Sequence, residues 1–440
     1  MRCMLFGHEG SITSLIDAVN HRAGDRIVKR PLAPPETVCH NAGVRDNVFP
    51  VLWINGQPGS GKSAVGWALY DEIARSGTRV GFVDIDQLGI FLPAPLDDPE
   101  RYRLKVSNVS STVENFRASG CDALIVSGEL GISTAISADT VHGASLTVCR
   151  LQASPGELRR RLTVRGAPAN LAAAWVREAE EPDRSSLADT CVDTEGRTIS
   201  DVARLVRERC GDWPPPYTSA RTAATGPALS PAAGADGEVL LLCGATGAGK
   251  SSVGFEVFRR QLRARHTAAY LDLGQLGLLS PPPAGDPGGH RLRARNLADF
   301  WRAYHKAGAR RLVMSGPVPD AHTAASYAAA LPAADVTVCR LHAGRAELAR
   351  RIALRGRSFD WPEPGDPLIG RSDTYLRQAA EAAATTAEAL DRSSLGDVRI
   401  DTDGLSVAEA ADLVGRCWRA PLSSTVRRRS QQARGGGSGG

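Results

Sequence analysis

Two eight-residue stretches hold the residue types that phosphate chemistry needs. Gly56-Gln57-Pro58-Gly59-Ser60-Gly61-Lys62-Ser63 and Gly244-Ala245-Thr246-Gly247-Ala248-Gly249-Lys250-Ser251 both read G-x-x-x-x-G-K-S. Glycines at that spacing let the backbone curl until successive N–H groups face phosphate oxygens at the positive end of a following helix. Lys62 and Lys250 would neutralise the β- and γ-phosphates, and the hydroxyls of Ser63 and Ser251 would hold Mg²⁺. A glycine-rich turn with a solvated lysine is the bland alternative. It fits badly, because 53 basic residues include only five lysines (Lys29, Lys62, Lys105, Lys250 and Lys306), and two of the five stand at this one place in the pattern.

Acids and arginines follow at matching distances. Asp84 and Asp86 stand in VDIDQLG, and Asp272 stands alone in LDLGQLG, with Gly274 where Asp86 would be. A carboxylate beside a γ-phosphate can organise a Mg²⁺ shell or accept the proton of an acceptor hydroxyl, although an aspartate also simply ends strands. Arg161 with Arg165, and Arg351 with Arg355, lie four apart on one helix face ahead of a glycine. Such a pair can clamp phosphoryl oxygens, or be no more than a solvated basic face. Neither IVSGEL nor VMSGPV ends in the Asp-Glu pair of motor-type ATPases, and no N/T-K-x-D motif reads guanine.

The elements that must position these residues occur twice. VLWINGQPGSGKSAVG from Val51 recurs as VLLLCGATGAGKSSVG from Val239, and the register holds through FVDIDQLGIFLPAP against YLDLGQLGLLSPPP. TVCRLQASPGELRRRLTVRG then matches TVCRLHAGRAELARRIALRG, and DRSSLADTCVDTEG matches DRSSLGDVRIDTDG. Ordered matches in this number mark a tandem duplication, with a longer insert in the second copy at about 357–390. In each copy short apolar runs (PVLWIN, VGFVDI, DALIVSG, LTVCRL and TCVDT in the first) alternate with helical stretches at about 105–119, 154–165 and 199–210. That alternation predicts a parallel sheet covered on both faces, with ligands beyond the carboxyl ends of the strands.

The expected layout is an N-terminal extension (1–48), a first α/β domain (49–211), a Pro/Ala/Gly linker (212–237), a second α/β domain (238–419) and a flexible tail (420–440). The extension contains SITSLIDAVN, which has the composition of a short helix. A charge of +5 over 440 residues argues against a whole-chain nucleic-acid or membrane binder. Nine scattered cysteines without a CxxC pair read as free thiols of a reducing cytoplasm, and metal-ligand spacing is missing. Neither a signal-type apolar segment nor a membrane-length apolar run occurs. Smaller features are DDPERYR and GDPGGHR, which could line an acceptor pocket or be surface loops. Ser127 and Ser315 would face the phosphates or merely turn the chain, and Lys105 stands opposite Arg293 without a reading of its own.

Taken together, the strand, GxxxxGKS, Asp-x-Asp, L-x-x-R-x-x-x-R-G helix and closing V-D-T strand resemble the P-loop kinases. That group includes shikimate, gluconate, adenylylsulfate and nucleoside-monophosphate kinases and antibiotic phosphotransferases. The VDIDQLG…DDPERYRLK…VSG stretch is more similar to ATP-binding proteins of actinobacteria. The resemblance covers nearly all of both copies and implies two tandem P-loop kinase-like domains, each a five-stranded parallel sheet with helices on both faces, plus a mobile lid and Mg-ATP. It further implies that Asp84 serves the metal, with Asp272 in the same place in the second copy, and that Asp86 meets the acceptor hydroxyl. Arg161 and Arg165 would close from the lid, with Arg351 and Arg355 on the second nucleotide. Gly274 departs from this pattern. The expectation is therefore a phosphotransferase in the first copy, acting on a hydroxyl or phosphate of a small molecule, and a nucleotide-binding second copy that is catalytically weak or regulatory. The two would pack as an intramolecular pseudo-dimer. A non-catalytic ATP switch signalling to a protein partner is the alternative, and a nucleic-acid-end kinase is a third reading.

Overall fold

The structure, a computed structural model, describes residues 48–99, 101–129, 141, 143–180, 188–211, 213–216, 228–357, 366–393 and 395–419. The SITSLIDAVN segment, the first DRSSL motif and the C-terminal tail lie outside them. Strands of the first half are β1 (Phe49–Asn55), β2 (Val80–Asp84), β3 (Phe91–Leu92), β4 (Ala123–Ser127), β5 (Ala144–Gln152) and β6 (Thr190–Asp193). Those of the second are β7 (Gly237–Cys243), β8 (Ala268–Asp272), β9 (Leu278–Ser280), β10 (Arg311–Ser315), β11 (Ala334–His342) and β12 (Val398–Asp401). β2 and β4 are buried at every residue, as continuous apolar runs between two helical layers must be.

Between the strands run α1 (Lys62–Arg75), α2 (Tyr102–Ala118), α3 (Pro155–Val164), α4 (Ala169–Glu180) and α5 (Ile199–Arg209). The second half has α6 (Lys250–Arg263), α7 (His290–Lys306), α8 (Ala321–Ala330), α9 (Arg345–Gly356), α10 (Asp373–Ser393) and α11 (Val407–Arg419). Side-chain caps of the ordinary kind begin α3 and α5. Ser154 Oγ accepts the Glu157 N–H ahead of α3, with Pro155 at its first position. Thr198 and Asp201 close a reciprocal box on α5. α10 lies within the insert of the second copy and packs against α9.

Each sheet has six strands, in the orders β6-β5-β1-β4-β2-β9 and β12-β11-β7-β10-β8-β3. Five are parallel, as expected. The sixth in each comes from the other half: β9 pairs antiparallel with β2 (Phe82 opposite Leu278), and β3 pairs antiparallel with β8 (Phe91 opposite Ala269). This reciprocal exchange covers the two edges that β2 and β8 would otherwise leave unpaired. Beside it α2 lies against α7, where Asn115 Nδ2 donates to Asn296 Oδ1 (2.9 Å) and Asp299 Oδ2 (2.7 Å). Arg295 adds a bond to Ser119 Oγ at 2.7 Å.

One apolar cluster runs through both halves, joining Trp53, Phe91 and Phe116 to Phe300, Trp301 and Tyr304. Side chains of this size contribute about 1.5–3 kcal/mol each when fully buried. The stretch expected as a linker is docked where it is described. Trp213 is 1% exposed in the core of the first half. Ala232 and Ala235 sit in the shared cluster, and the Ala235 carbonyl accepts the Trp301 Nε1–H at 2.9 Å. Its proline and alanine composition signals absence of periodicity, and says nothing of where those small side chains dock.

Candidate functional site

β1 lies between β4 and β5, so connections leave it toward both edges and its carboxyl end is a crevice between them. The first glycine-rich loop sits there, and the second occupies the same place after β7. Gly56, Gly59 and Gly61 have φ of +137°, +88° and +97°, matched by +141°, +83° and +93° at Gly244, Gly247 and Gly249. A Cβ on Gly56 would lie 2.2 Å from the Leu151 carbonyl oxygen, so the curl tolerates no side chain. Gly61 and Gly249 cap α1 and α6 without a side chain, which leaves first-turn N–H groups facing the loop. Lys62 Nζ donates to the Gly56 carbonyl, and Lys250 Nζ to that of Ala245 at 2.9 Å. A cradle of uncapped N–H groups with an ammonium at its rim fits a chain of phosphates.

Beneath each loop a hydroxyl meets a carboxylate. Ser63 Oγ donates to Asp84 Oδ2 at 2.7 Å, and Ser251 Oγ to Asp272 Oδ2 at 2.9 Å. Both are hard oxygen donors, the set that suits Mg²⁺. Ser127 Oγ reaches Ser63 Oγ at 3.3 Å, and Ser315 Oγ reaches Asp272 Oδ2 at 3.2 Å, so the serines of the two S-G motifs join the sites. Their glycines admit a close approach: a Cβ on Gly128 would lie 2.0 Å from Ile85 Cγ2, in the turn that carries the acids. Burial raises the Asp84 carboxyl, helped by the neighbouring Asp86 charge and opposed by the bonds from Ser63 and the Asp86 N–H, to about 6. Burial also raises Asp86, but Lys105, Lys62 and Arg101 outweigh it and hold that carboxyl below its usual range.

The two sites differ on the side away from these hydroxyl–carboxylate pairs. In the first, Lys105 Nζ donates to Asp86 Oδ1 (3.2 Å) and to the Glu129 carbonyl (3.1 Å), and Lys62 lies 3.8 Å from the Glu129 carboxylate. In the second, Gly274, Pro317 and Arg293 replace Asp86, Glu129 and Lys105. The turn itself survives: the Gly274 N–H reaches Asp272 Oδ1 at 2.8 Å, as the Asp86 N–H reaches Asp84 Oδ1 at 3.0 Å. Burial pushes Lys250 down to about 8, with Asp272 the leading group opposing the shift.

Arg161 and Arg351, expected as phosphate clamps, are bonded to groups of the chain itself. Arg161 uses all three nitrogens within its own half: Nε to Glu157 (2.7 Å), one terminal nitrogen to the Gly59 carbonyl (3.3 Å) and Thr194 Oγ1 (2.9 Å), the other to the Thr194 carbonyl (2.8 Å). Arg351 repeats this with Glu347, Gly247 and Thr402. Helical spacing predicts which side chains share a face, and the neighbour here is the carbonyl side of the glycine loop. Arg165 ends α3 with its N–H on the Arg161 carbonyl, and Arg355 Nε pairs with Asp366 at 2.7 Å. Arg103 is held at the surface by Asp97. Sequence reasoning missed Glu129, Thr194 and Thr402. Glu129 could have been found by the test that exposed Gly274, since its counterpart is proline.

No helix among the described residues is long and apolar enough to cross a membrane, and none of them form a cluster of three metal-type ligands. No family model and no curated protein matches the chain. Among solved structures, the Mycobacterium tuberculosis APS kinase in complex with AMPPNP and APS is 20% identical over 42% of this chain and 98% of its own, at a TM-score of 0.26. A gluconokinase from Sinorhizobium meliloti 1021 is 20% identical over 38% of this chain and 93% of its own (TM-score 0.27). A sugar kinase from Janibacter sp. HTCC2649 is 17% identical over 38% and 96% (TM-score 0.28). Likeness at this level carries no argument about activity.

Proposed function

We propose that the first half transfers the γ-phosphoryl group of Mg-ATP to a hydroxyl or phosphate of a small molecule. The observation that carries this reading is the arrangement beneath the first glycine loop, where the Ser63–Asp84 pair and the Asp86–Lys105 pair stand two residues apart on one turn. The backbone of 56–63 and Lys62 would hold the phosphates, and Ser63 and Asp84 the Mg²⁺, which would neutralise charge on the phosphoryl oxygens. Asp86 accepts the proton of the attacking hydroxyl while the new O–P bond forms and ADP departs. Its depressed basicity suits a reaction that needs little proton abstraction and much positioning. Arg161 braces the loop from the carbonyl side, which fixes the curl without touching the reacting group.

The second half is read as a nucleotide-binding unit that is weak or regulatory. It keeps the cradle and the Ser251–Asp272 pair and lacks both acids on the acceptor side. Those same losses favour one further reading for that half alone, a non-catalytic ATP switch. The exchanged strands and the shared core support the reading of the two halves as an intramolecular pseudo-dimer, and the scattered cysteines without a CxxC pair support a cytoplasmic location. Consumption of Mg-ATP, measured with and without a pool of small polar metabolites, tests the assignment. Lys62→Met and Asp86→Asn should each lower it by about a hundredfold or more, with ATP binding by Asp86→Asn near normal, while Lys250→Met leaves most of it. If Lys250→Met removes the activity and Asp86→Asn does not, the two halves have been assigned the wrong way round.

A further inference from the structure

Resting on the reading of Asp86 given above, one further role falls to the other half of the chain. The turn that carries Asp86 spans Ile85–Leu88 and begins at Asp84. Its last carbonyl, on Leu88, receives two donors. Asn108 Nδ2, from α2 of the same half, lies at 2.6 Å, and Tyr304 OH, from α7 of the second half, lies at 2.7 Å. Tyr304 is fully buried, and its ring stacks on Phe91 of the exchanged strand with centroids 6.1 Å apart and planes 13° from parallel. With both lone pairs of the Leu88 oxygen engaged, that peptide cannot rotate without breaking a buried bond.

The second site keeps half of this arrangement. Asn296 Nδ2 donates to the Leu276 carbonyl at 2.6 Å, as Asn108 does to Leu88. The residue of the first half that corresponds to Tyr304 is Phe116, which has no hydroxyl to give. Three differences between the copies therefore run the same way. Asp86, Glu129 and the hydroxyl of Tyr304 all serve the first site, and Gly274, Pro317 and Phe116 stand in their places at the second.

We infer that Tyr304 is a positioning residue for the first site: the second half locks the turn that carries Asp86, so transfer at the first site depends on the second half whether or not its own glycine loop turns over nucleotide. A turn loosened at its anchor displaces the carboxylate from the acceptor oxygen, and displacements of about 1 Å can cost orders of magnitude in rate.

The test is Tyr304→Phe in the full chain, assayed for Mg-ATP consumption with water as acceptor. The fold already accommodates Phe at the corresponding place, and Asn108 continues to satisfy the Leu88 carbonyl. Expected is a fall in kcat of about five- to tenfold, the worth of one buried neutral hydrogen bond, with KM for ATP within about twofold. The double variant Asp86→Asn/Tyr304→Phe should be no slower than Asp86→Asn alone, because the tyrosine acts through the aspartate. The converse variant, Phe116→Tyr, should leave kcat unchanged, since Gly274 offers nothing there to position. An unchanged kcat in Tyr304→Phe, independent multiplication in the double variant, or a kcat changed by Phe116→Tyr overturns the inference while leaving the proposed function standing. If Lys62→Met leaves ATP consumption intact, the function of the first site falls, and the role of Tyr304 with it.

Discussion

Ser60 and Ala248 occupy the same place in the two glycine loops and show what a hydroxyl does there. Ser60 is fully buried, and its Oγ has no hydrogen-bond partner among the described residues. Ala248 is equally buried and carries no such group. Removing an unpaired buried hydroxyl relieves its desolvation. Ser60→Ala is therefore expected to raise stability by up to about 1 kcal/mol in urea unfolding, with KM for ATP within about twofold. A KM raised tenfold would mean that this oxygen reaches the nucleotide. At this scale the sequence was legible wherever residue type alone decides: the glycines, Lys62, Ser63, Asp84 and their counterparts stand where the pattern places them. It was silent where a role depends on a distant neighbour. Lys105 could be singled out but not explained, because its partners Asp86 and Glu129 come from two other segments. The face of Arg161 was legible, and the Gly59 carbonyl that it meets was not.

The strands of the parallel sheets were readable as short apolar runs, and α1, α2, α3 and α5 as the helical stretches between them, whereas α4, α8 and α10 were not singled out. Nor were the exchanged strands. β3 has two residues and β9 three, each runs into prolines, and no period can be recognised over such a length. Their pairing is decided by tertiary context, since the open edges of β2 and β8 need backbone partners and the other copy supplies them. Phe91 is the anchor of this exchange, fully buried and stacked on Tyr304. Phe91→Ala is expected to cost about 3–5 kcal/mol and to lower kcat as well, since it removes the surface against which Tyr304 rests. Chemical unfolding followed alongside steady-state rates would check both. A large loss of stability with kcat unchanged would separate the strand from the site.

Across the whole molecule, the shared apolar cluster joins the inner faces of both sheets. Two domains with separate cores would melt independently, whereas halves that complete each other's sheets and share a core unfold together. Urea unfolding followed by far-ultraviolet circular dichroism and by tryptophan fluorescence should therefore give coincident single transitions, and Mg-ATP should shift both equally. A plateau between two transitions would show the halves to be independent. The duplication was plain in the sequence, yet the depth of the joint was not, because the residues that build it, such as Phe300 and Tyr304, read only as ordinary core positions of one helix.

Covalent linkage of two units that trade edge strands also bears on how they can diverge. Two free chains exchanging strands would need a seam strong enough to overcome dilution, and every change at one site would appear at its twin. Within a single chain each unit meets its partner at an effective concentration on the order of millimolar, whatever the amount of protein present. The stoichiometry is fixed at one to one. The two sites are then free to differ, as Gly274 and Pro317 opposite Asp86 and Glu129 do, while the second copy lends its surface and a hydroxyl to the first.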